Sequence, residues 1–209
     1  MRIDRASLVG RMSVPLQQGA GRKPDVALVE LRGGTVVVKD FRARARWLRA
    51  TLGRWLIARE LRAYRVLADH PSVPRLLARI DAYAFALEYR PGRRLSRQRA
   101  SELPPDFLAQ LEAAVHGLHA RGVVHLDLRH RSNVLVDAGG APVLIDFASA
   151  VCVAPTRWPQ RWLLRALARI DDVALAKWRT KLGPGLATGT AQRPPADAEL
   201  GPTDPRRPR

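Results

Sequence analysis

The feature that most constrains this chain is a pair of short segments, HLDLRHRSNVLVD (His125–Asp137) and VLIDFA (Val143–Ala148). Each sets an acidic residue beside a short apolar, strand-like run. A turn signal at Asp137–Gly140 joins the runs Asn133–Val136 and Val143–Ile145. Chemically, the pair offers one carboxylate for proton handling (Asp127), one carbonyl oxygen donor (Asn133) and a second carboxylate (Asp146). Hard oxygen donors of this kind suit Mg²⁺, which is held by one or two carboxylates plus substrate phosphates. Upstream, TVVVKD ends a β-branched run on Lys39, an ammonium able to hold phosphates.

The whole sequence has 209 residues, enough for one domain or one two-lobed domain with a real core. Its 36 Lys and Arg against 19 Asp and Glu give a formal charge of +17, which calls for an anionic partner. Nucleotide, nucleic acid, acidic lipid and phosphorylated sugar all qualify. The single Cys152 excludes an intrachain disulfide framework and a Cys-based zinc site. There is neither an apolar run near the length of a membrane span nor an apolar signal region at the N-terminus, so the expected compartment is the cytoplasm.

Along the chain, a strand is expected near Ser7–Val14, then a hairpin of Asp25–Leu31 and Thr35–Lys39 turning at Arg32-Gly33-Gly34. A helical pattern covers Arg42–Asp69 and stops at His70-Pro71, because the residue before proline disfavours helix. Leu77–Tyr83 and Ala84–Tyr89 read as strands, and Arg90-Pro91-Gly92 breaks them. Phe107, Leu111, Val115 and Leu118 form a second helical stripe ending near Gly122, and residues 157–182 form a third helix. Residues 185–209, rich in Pro, Arg and Asp, are expected to be a disordered tail.

One residue can be placed by spacing alone. Leu56, Glu60, Ala63, Tyr64 and Leu67 share a helix face, so Glu60 lies within an apolar stripe. A carboxylate buried there alone costs several kcal/mol, so it needs a partner, and Lys39 is the natural one.

These motifs resemble the protein-kinase-like fold over roughly residues 7–150. VVVK resembles the strand-three lysine motif, HLDLRHRSN the catalytic loop, and DFA the metal-binding DFG. The small size is most similar to bacterial relatives of RIO-type serine/threonine kinases and of lipopolysaccharide core-sugar kinases. The resemblance implies an α+β, minimal two-lobed kinase-like domain over residues 1–184. Its N-lobe would be about 1–88, and a truncated C-terminal lobe about 89–184. It also implies ATP and Mg²⁺ as cofactors. Lys39, paired with Glu60, would hold the α- and β-phosphates. Asp146 and Asn133 would bind metal, and Asp127 would orient the acceptor hydroxyl. Glu88, before the Pro91-Gly92 break, would lie at the hinge whose backbone binds adenine.

The sequence also departs from that pattern. Asn133 follows Asp127 by six residues where the kinase loop has five. Gln18–Lys23 is a weak substitute for the phosphate-covering glycine loop. Leu126 replaces the HRD arginine, Ala148 replaces the DFG glycine, and no APE motif follows. The implied function is ATP- and Mg²⁺-dependent phosphoryl transfer to a hydroxyl, on a protein Ser/Thr or, as the alternative, a core sugar. A non-catalytic kinase-like binding module is the reading from another class. Two basic helices complete the picture, an arginine-rich one around Arg42–Arg65 and a later one from Arg157 to Lys181. Trp158, Trp162 and Trp178 lie among Arg161, Arg165, Arg169 and Lys177, a composition suited either to a solvated face with core tryptophans or to peripheral contact with an anionic membrane at its inner face. Nucleic acid has no motif of its own here.

Overall fold

In the computed structural model, residues 3–19, 23–43, 53–97, 100–154 and 158–189 are described. The N-lobe is one antiparallel sheet of five strands in the order β1-β2-β3-β5-β4. These are β1 (Ser13–Gln17), β2 (Asp25–Leu31), β3 (Gly34–Asp40), β4 (Leu76–Arg79) and β5 (Ala84–Glu88). The β2–β3 hairpin turns at Arg32-Gly33, with Leu31 paired to Gly34. Gly34 takes φ +119°, a conformation that side chains resist. The strand expected near Ser7–Val14 is instead a short helix, α1 (Arg5–Leu8), followed by β1 starting at Ser13. The reason is local. Asp4 caps α1 by accepting the Ser7 amide, and Ser7 returns a bond to the Asp4 backbone, a reciprocal cap that outcompetes the extended form. Arg5 then ties α1 to the sheet by pairing with Asp40 and Asp81.

The inner face of the sheet is covered by α2 (Arg54–Val66), whose buried side is Ile57, Glu60, Leu61, Ala63 and Tyr64. The start expected at Arg42 falls largely on residues 44–52, outside the described residues. The helix ends before His70-Pro71, as the proline requires.

The C-lobe is reduced. Its first long helix, α3 (Phe107–Ala120), buries Phe107, Leu111, Ala114, Val115 and Leu118. Two small sheets follow. In one, β6 (Arg93–Arg94), β8 (Val134–Val136) and β9 (Pro142–Leu144) pair in the order β6-β8-β9. In the other, β7 (Val123–Val124) pairs with β10 (Val151–Cys152). The Asp137 carboxylate closes the β8–β9 turn by accepting the Gly139 and Ala141 amides. The last helix, α4, runs from Trp158 to Gly189. Its end corrects the expectation of a disordered tail from residue 185, because Leu186 is buried in the core and holds the helix on. Residues 190–209 lie outside the described residues. The main core is continuous across both lobes, from Phe41 and Tyr64 through Phe147 to Trp178 and Leu186.

Gly117 inside α3 forgoes the helix propensity of alanine. The His70 ring takes the space instead: a Cβ at Gly117 would lie 2.5 Å from His70 Nε2. That ring is fixed, since it is buried and its Nδ1 accepts the Ser72 amide. Gly117→Ala should therefore destabilise by about 1–2 kcal/mol although alanine favours helix by about 1 kcal/mol, because overpacking wins. Denaturant unfolding of the variant checks the sign, and a stabilised Gly117→Ala would contradict this packing.

Candidate active site

The site is built around Lys39 on β3. Its Nζ lies 2.6 Å from Glu60 Oε1 on α2 and 2.8 Å from Asp146 Oδ1. Lys39 is 7% exposed and Glu60 2%. Burial resists a charge on Lys39, yet the two carboxylates outweigh it and hold the ammonium well above its usual range. The same ammonium, against partial burial, holds the Asp146 carboxyl below the usual carboxylate range. Burial pushes the Glu60 carboxyl up, and chiefly Lys39 opposes it. The three groups are thus one electrostatic unit, and the pairing of Glu60 with Lys39 expected from the helix stripe is present.

Asp146 reaches Lys39 from a strained backbone. It stands at φ +67°, ψ +70°, just after β9 and just before a 3₁₀ turn over Phe147–Ser149. A non-glycine residue in the left-handed region costs of the order of 1 kcal/mol, and such residues gather at functional sites. Packing holds it there. The Phe147 ring lies edge-on to Tyr64 of α2 at 5.1 Å and 4.8 Å from the His125 ring. The Arg59 guanidinium, next to Glu60, donates to the Ser149 and Ala150 carbonyls and lies over Trp55. Helix α2 therefore grips the segment after Asp146 through Arg59, and β3 holds Asp146 itself through Lys39.

The catalytic-loop segment absorbs its additional residue in two successive turns. The His130 amide donates to the Asp127 carbonyl, and the Asn133 amide donates to the His130 carbonyl. Asn133 ends the second, a 3₁₀ turn over Arg131–Asn133 that leads straight into β8. The strand expected from Asn133 thus begins one residue later. Asn133 Nδ2 donates both to the Asp127 backbone oxygen (3.0 Å) and to Asp127 Oδ2 (2.9 Å). The other carboxylate oxygen, Asp127 Oδ1, is 2.7 Å from His130 Nδ1 and 3.6 Å from Arg129 Nε. Asn133 and Asp146 emerge at the same end of the β8–β9 hairpin, where Val134 pairs with Leu144 and the Ile145 amide donates to the Asn133 carbonyl. Asn133 Oδ1 and the Asp146 oxygen not bonded to Lys39 form a donor set of two hard oxygens. Such a set fits Mg²⁺ that takes its remaining ligands from phosphate and water.

Glu88 ends β5 just before the Pro91-Gly92 break; its amide donates to the Arg75 carbonyl, and its carboxylate accepts from the Arg75 amide and guanidinium. Of the weak glycine segment Gln18–Lys23, residues 20–22 lie outside the described residues, while the Gly19 amide donates to Asp25 at 2.7 Å.

Sequence reasoning missed Asp171 of α4. Its carboxylate is fully buried and accepts the His125 amide (2.8 Å) and the Leu126 amide (2.9 Å), with His119 Nε2 at 3.1 Å. Leu126, with Asp146, is a non-glycine residue at positive φ (+64°) among the described residues, and its amide is held by this carboxylate. His125 Nε2 donates to the Ile145 carbonyl, which ties the loop to the strand before Asp146. Burial pushes the His125 imidazole down, so it stays neutral in this role. The signal was available. Asp171 lies on the stripe of Ala174, Leu175, Trp178 and Leu182, as Glu60 lies on its own stripe.

Two outcomes test this architecture. Lys39→Met should cost about 3 kcal/mol, because it leaves Glu60 buried without its cation, whereas Lys39→Met with Glu60→Met should cost clearly less than the sum of the single changes. Additive losses in denaturant unfolding would mean that the pair is not coupled. Asp171→Asn replaces one accepting oxygen by a donor facing a backbone N–H. It should cost about 2 kcal/mol and speed hydrogen exchange at the His125 and Leu126 amides.

Comparison with known proteins points the same way. The phosphotransferase enzyme family (APH) matches residues 78–157, under half of the chain but including Asp127, Asn133 and Asp146. Human citron Rho-interacting kinase is 39% identical over 95 residues, covering 38% of this chain and 4% of the kinase. The serine/threonine-protein kinase WAG1 of Arabidopsis thaliana is 36% identical over 92 residues, covering 39% of this chain and 19% of WAG1. The chain therefore spans only a small part of the length of these relatives. The Rio2 kinase of Chaetomium thermophilum, solved as an ADP/Mg²⁺-phosphoaspartate complex, superposes with a TM-score of 0.58 at 18% identity. That match covers 82% of this chain and 56% of the Rio2 chain. With its five-stranded sheet, its Lys39–Glu60 pair and its truncated second lobe, the chain has a protein-kinase-like fold.

Proposed function

We infer that this protein is an ATP- and Mg²⁺-dependent phosphotransferase that acts on a hydroxyl. The observation that carries the reading is the Lys39 ammonium fixed between Glu60 and Asp146, which leaves Asp146 one oxygen for a metal. Asp146 and Asn133 Oδ1 are the residues that would hold Mg²⁺, which would supply neutralisation of the nucleotide's phosphate charge. Lys39 would bind phosphate oxygens without reorganisation, because Glu60 already holds it in place. Asp127 would orient the acceptor hydroxyl and accept its proton, with Asn133 and His130 steadying its two oxygens. Catalysis then consists of positioning and charge neutralisation, since phosphoryl transfer asks little covalent chemistry of the protein.

For the acceptor, a protein Ser/Thr is the favoured reading, in the manner of a RIO-type kinase. It is supported by the Rio2 superposition and by the serine/threonine kinases among the similar sequences. The core-sugar hydroxyl is kept as a second reading for one reason. Only residues 149–157 separate the DFA segment from α4, which is too short a stretch for an extended platform to lay a peptide on. The cytoplasm is the compartment where the proposed ATP is available.

The two aspartates should fail differently. Asp127→Ala should spare Mg²⁺-ATP affinity and lower kcat by about a hundredfold or more, as befits a group used mainly in the transition state. Asp146→Ala should lower kcat and also weaken the Mg²⁺ dependence of ATP binding. Isothermal titration beside ATP turnover reads both. If Asp127→Ala abolished binding while Asp146→Ala left binding and turnover intact, the roles assigned here would be wrong. Binding without turnover in the unaltered protein would favour the non-catalytic module. Label transfer from ATP into cell extract, sorted into protein and glycolipid fractions, distinguishes the acceptors.

A further inference from the structure

The opening turns of α4 do not pack on the core. Between Trp158 and Ile170 no residue is buried, and the first buried side chain of the helix is Asp171. From there Ala174, Leu175, Trp178, Leu182 and Leu186 fix the rest of the helix. The three tryptophans of α4 therefore divide. Trp178 is a core residue at 2% exposure, whereas Trp158 is 79% and Trp162 65% exposed. Ile170 at 50% and Val173 at 70% extend the same exposed surface.

The arrangement of these side chains selects a partner. At about 100° per residue, Trp158, Trp162, Val173 and Ile170 fall within an arc of about 120°. Arg161 and Arg165 run along one edge of that arc and Arg169 lies between the two tryptophans, all three exposed. The segment from Trp158 to Ile170 contains no Asp or Glu. The surface is therefore aromatic and apolar with arginines within it and along one border; Asp172, one turn beyond on the arginine border, is its single acidic side chain between Trp158 and Val173. A tryptophan places its apolar body in a hydrocarbon boundary and its N–H in water, and arginine stems cover apolar surface while their heads reach anions. No helix among the described residues is long and apolar enough to cross a membrane, so a helix of this kind lies along a surface.

We propose that the N-terminal turns of α4 are a docking surface for an anionic lipid membrane, with Trp158 and Trp162 entering the headgroup boundary and Arg161, Arg165 and Arg169 contacting lipid phosphates. This surface is separate from the Lys39–Asp146 site and does not depend on phosphoryl transfer. A surface-bound orientation would hold the domain where membrane-anchored hydroxyl acceptors are concentrated.

Vesicle flotation of the full chain tests the proposal, with phosphatidylcholine vesicles carrying or lacking a phosphatidylglycerol component. Binding should require phosphatidylglycerol and weaken as salt is raised. Changing Arg161, Arg165 and Arg169 together to Gln should weaken partitioning by roughly fivefold per arginine, about a hundredfold in all. A charge-matched control, Arg32→Gln with Arg65→Gln and Arg93→Gln, should bind much as the unaltered chain does. Trp158→Ala with Trp162→Ala should abolish the blue shift of tryptophan emission on anionic vesicles, whereas the buried Trp178 would give none. All these positions are exposed, so thermal unfolding of the variants should match that of the unaltered chain. Equal binding to both vesicle types, or equal loss in the control and the α4 variant, would overturn the proposal. So would a vesicle-free dimer that the tryptophan variant dissolves, which would make this face a contact between two copies of the chain.

Discussion

Everything at the centre of this molecule depends on one buried cation. Lys39 brings an ammonium into the core between β3, α2 and the segment after β9, where it would be intolerable alone. Two carboxylates make it tolerable, and each comes from a different part of the fold. Glu60 sets the position of α2 against the sheet, and Asp146 sets the C-lobe segment against both. Removing Lys39 leaves the Glu60 carboxylate buried without a cation, which is why the pairing dictates geometry more sharply than apolar packing would. The phosphate-binding lysine of the proposed function is thus also a structural keystone between the lobes.

A second set of contacts carries that geometry to the loop with Asp127. Tyr64 of α2, Phe147 and the His125 ring stack in sequence, and Asp171 fastens the His125 and Leu126 amides from below. Among the described residues, both non-glycine residues at positive φ, Leu126 and Asp146, lie along this path. Their backbone strain is held by buried hydrogen bonds and ring packing. Arg59 adds a clamp by binding the Ser149 and Ala150 carbonyls. A reduced C-lobe can support a site of this kind because one helix, α4, supplies both the core face and the buried carboxylate. The same helix is free of the core over its opening turns, so one element anchors the loop that carries Asp127 and presents the proposed docking surface.

The sequence by itself determined the elements and the identity of the charged groups. Alternation over Asp25–Leu31 and the β-branched run Thr35–Lys39 marked β2 and β3, the proline after His70 stopped α2, and apolar spacing marked α3. Glu60 could be assigned a buried partner because a helix has a fixed period and a lone buried carboxylate is costly. What local pattern could not show is which distant groups meet. The reciprocal cap that turned the expected first strand into α1, the engagement of the Glu88 carboxylate by Arg75, and the two turns that accommodate the additional residue before Asn133 all rest on specific hydrogen bonds. Asp171 could be read as lying on an apolar stripe, but its partners are backbone amides nearly fifty residues away, and no periodicity encodes those. The division of the α4 tryptophans likewise required the fold. All three have similar local surroundings in the sequence, and only the packing of the second half of the helix against the core buries Trp178 and leaves Trp158 and Trp162 in solvent. Periodicity fixes which face of an element is apolar; only tertiary packing decides how much of that face finds something to cover it.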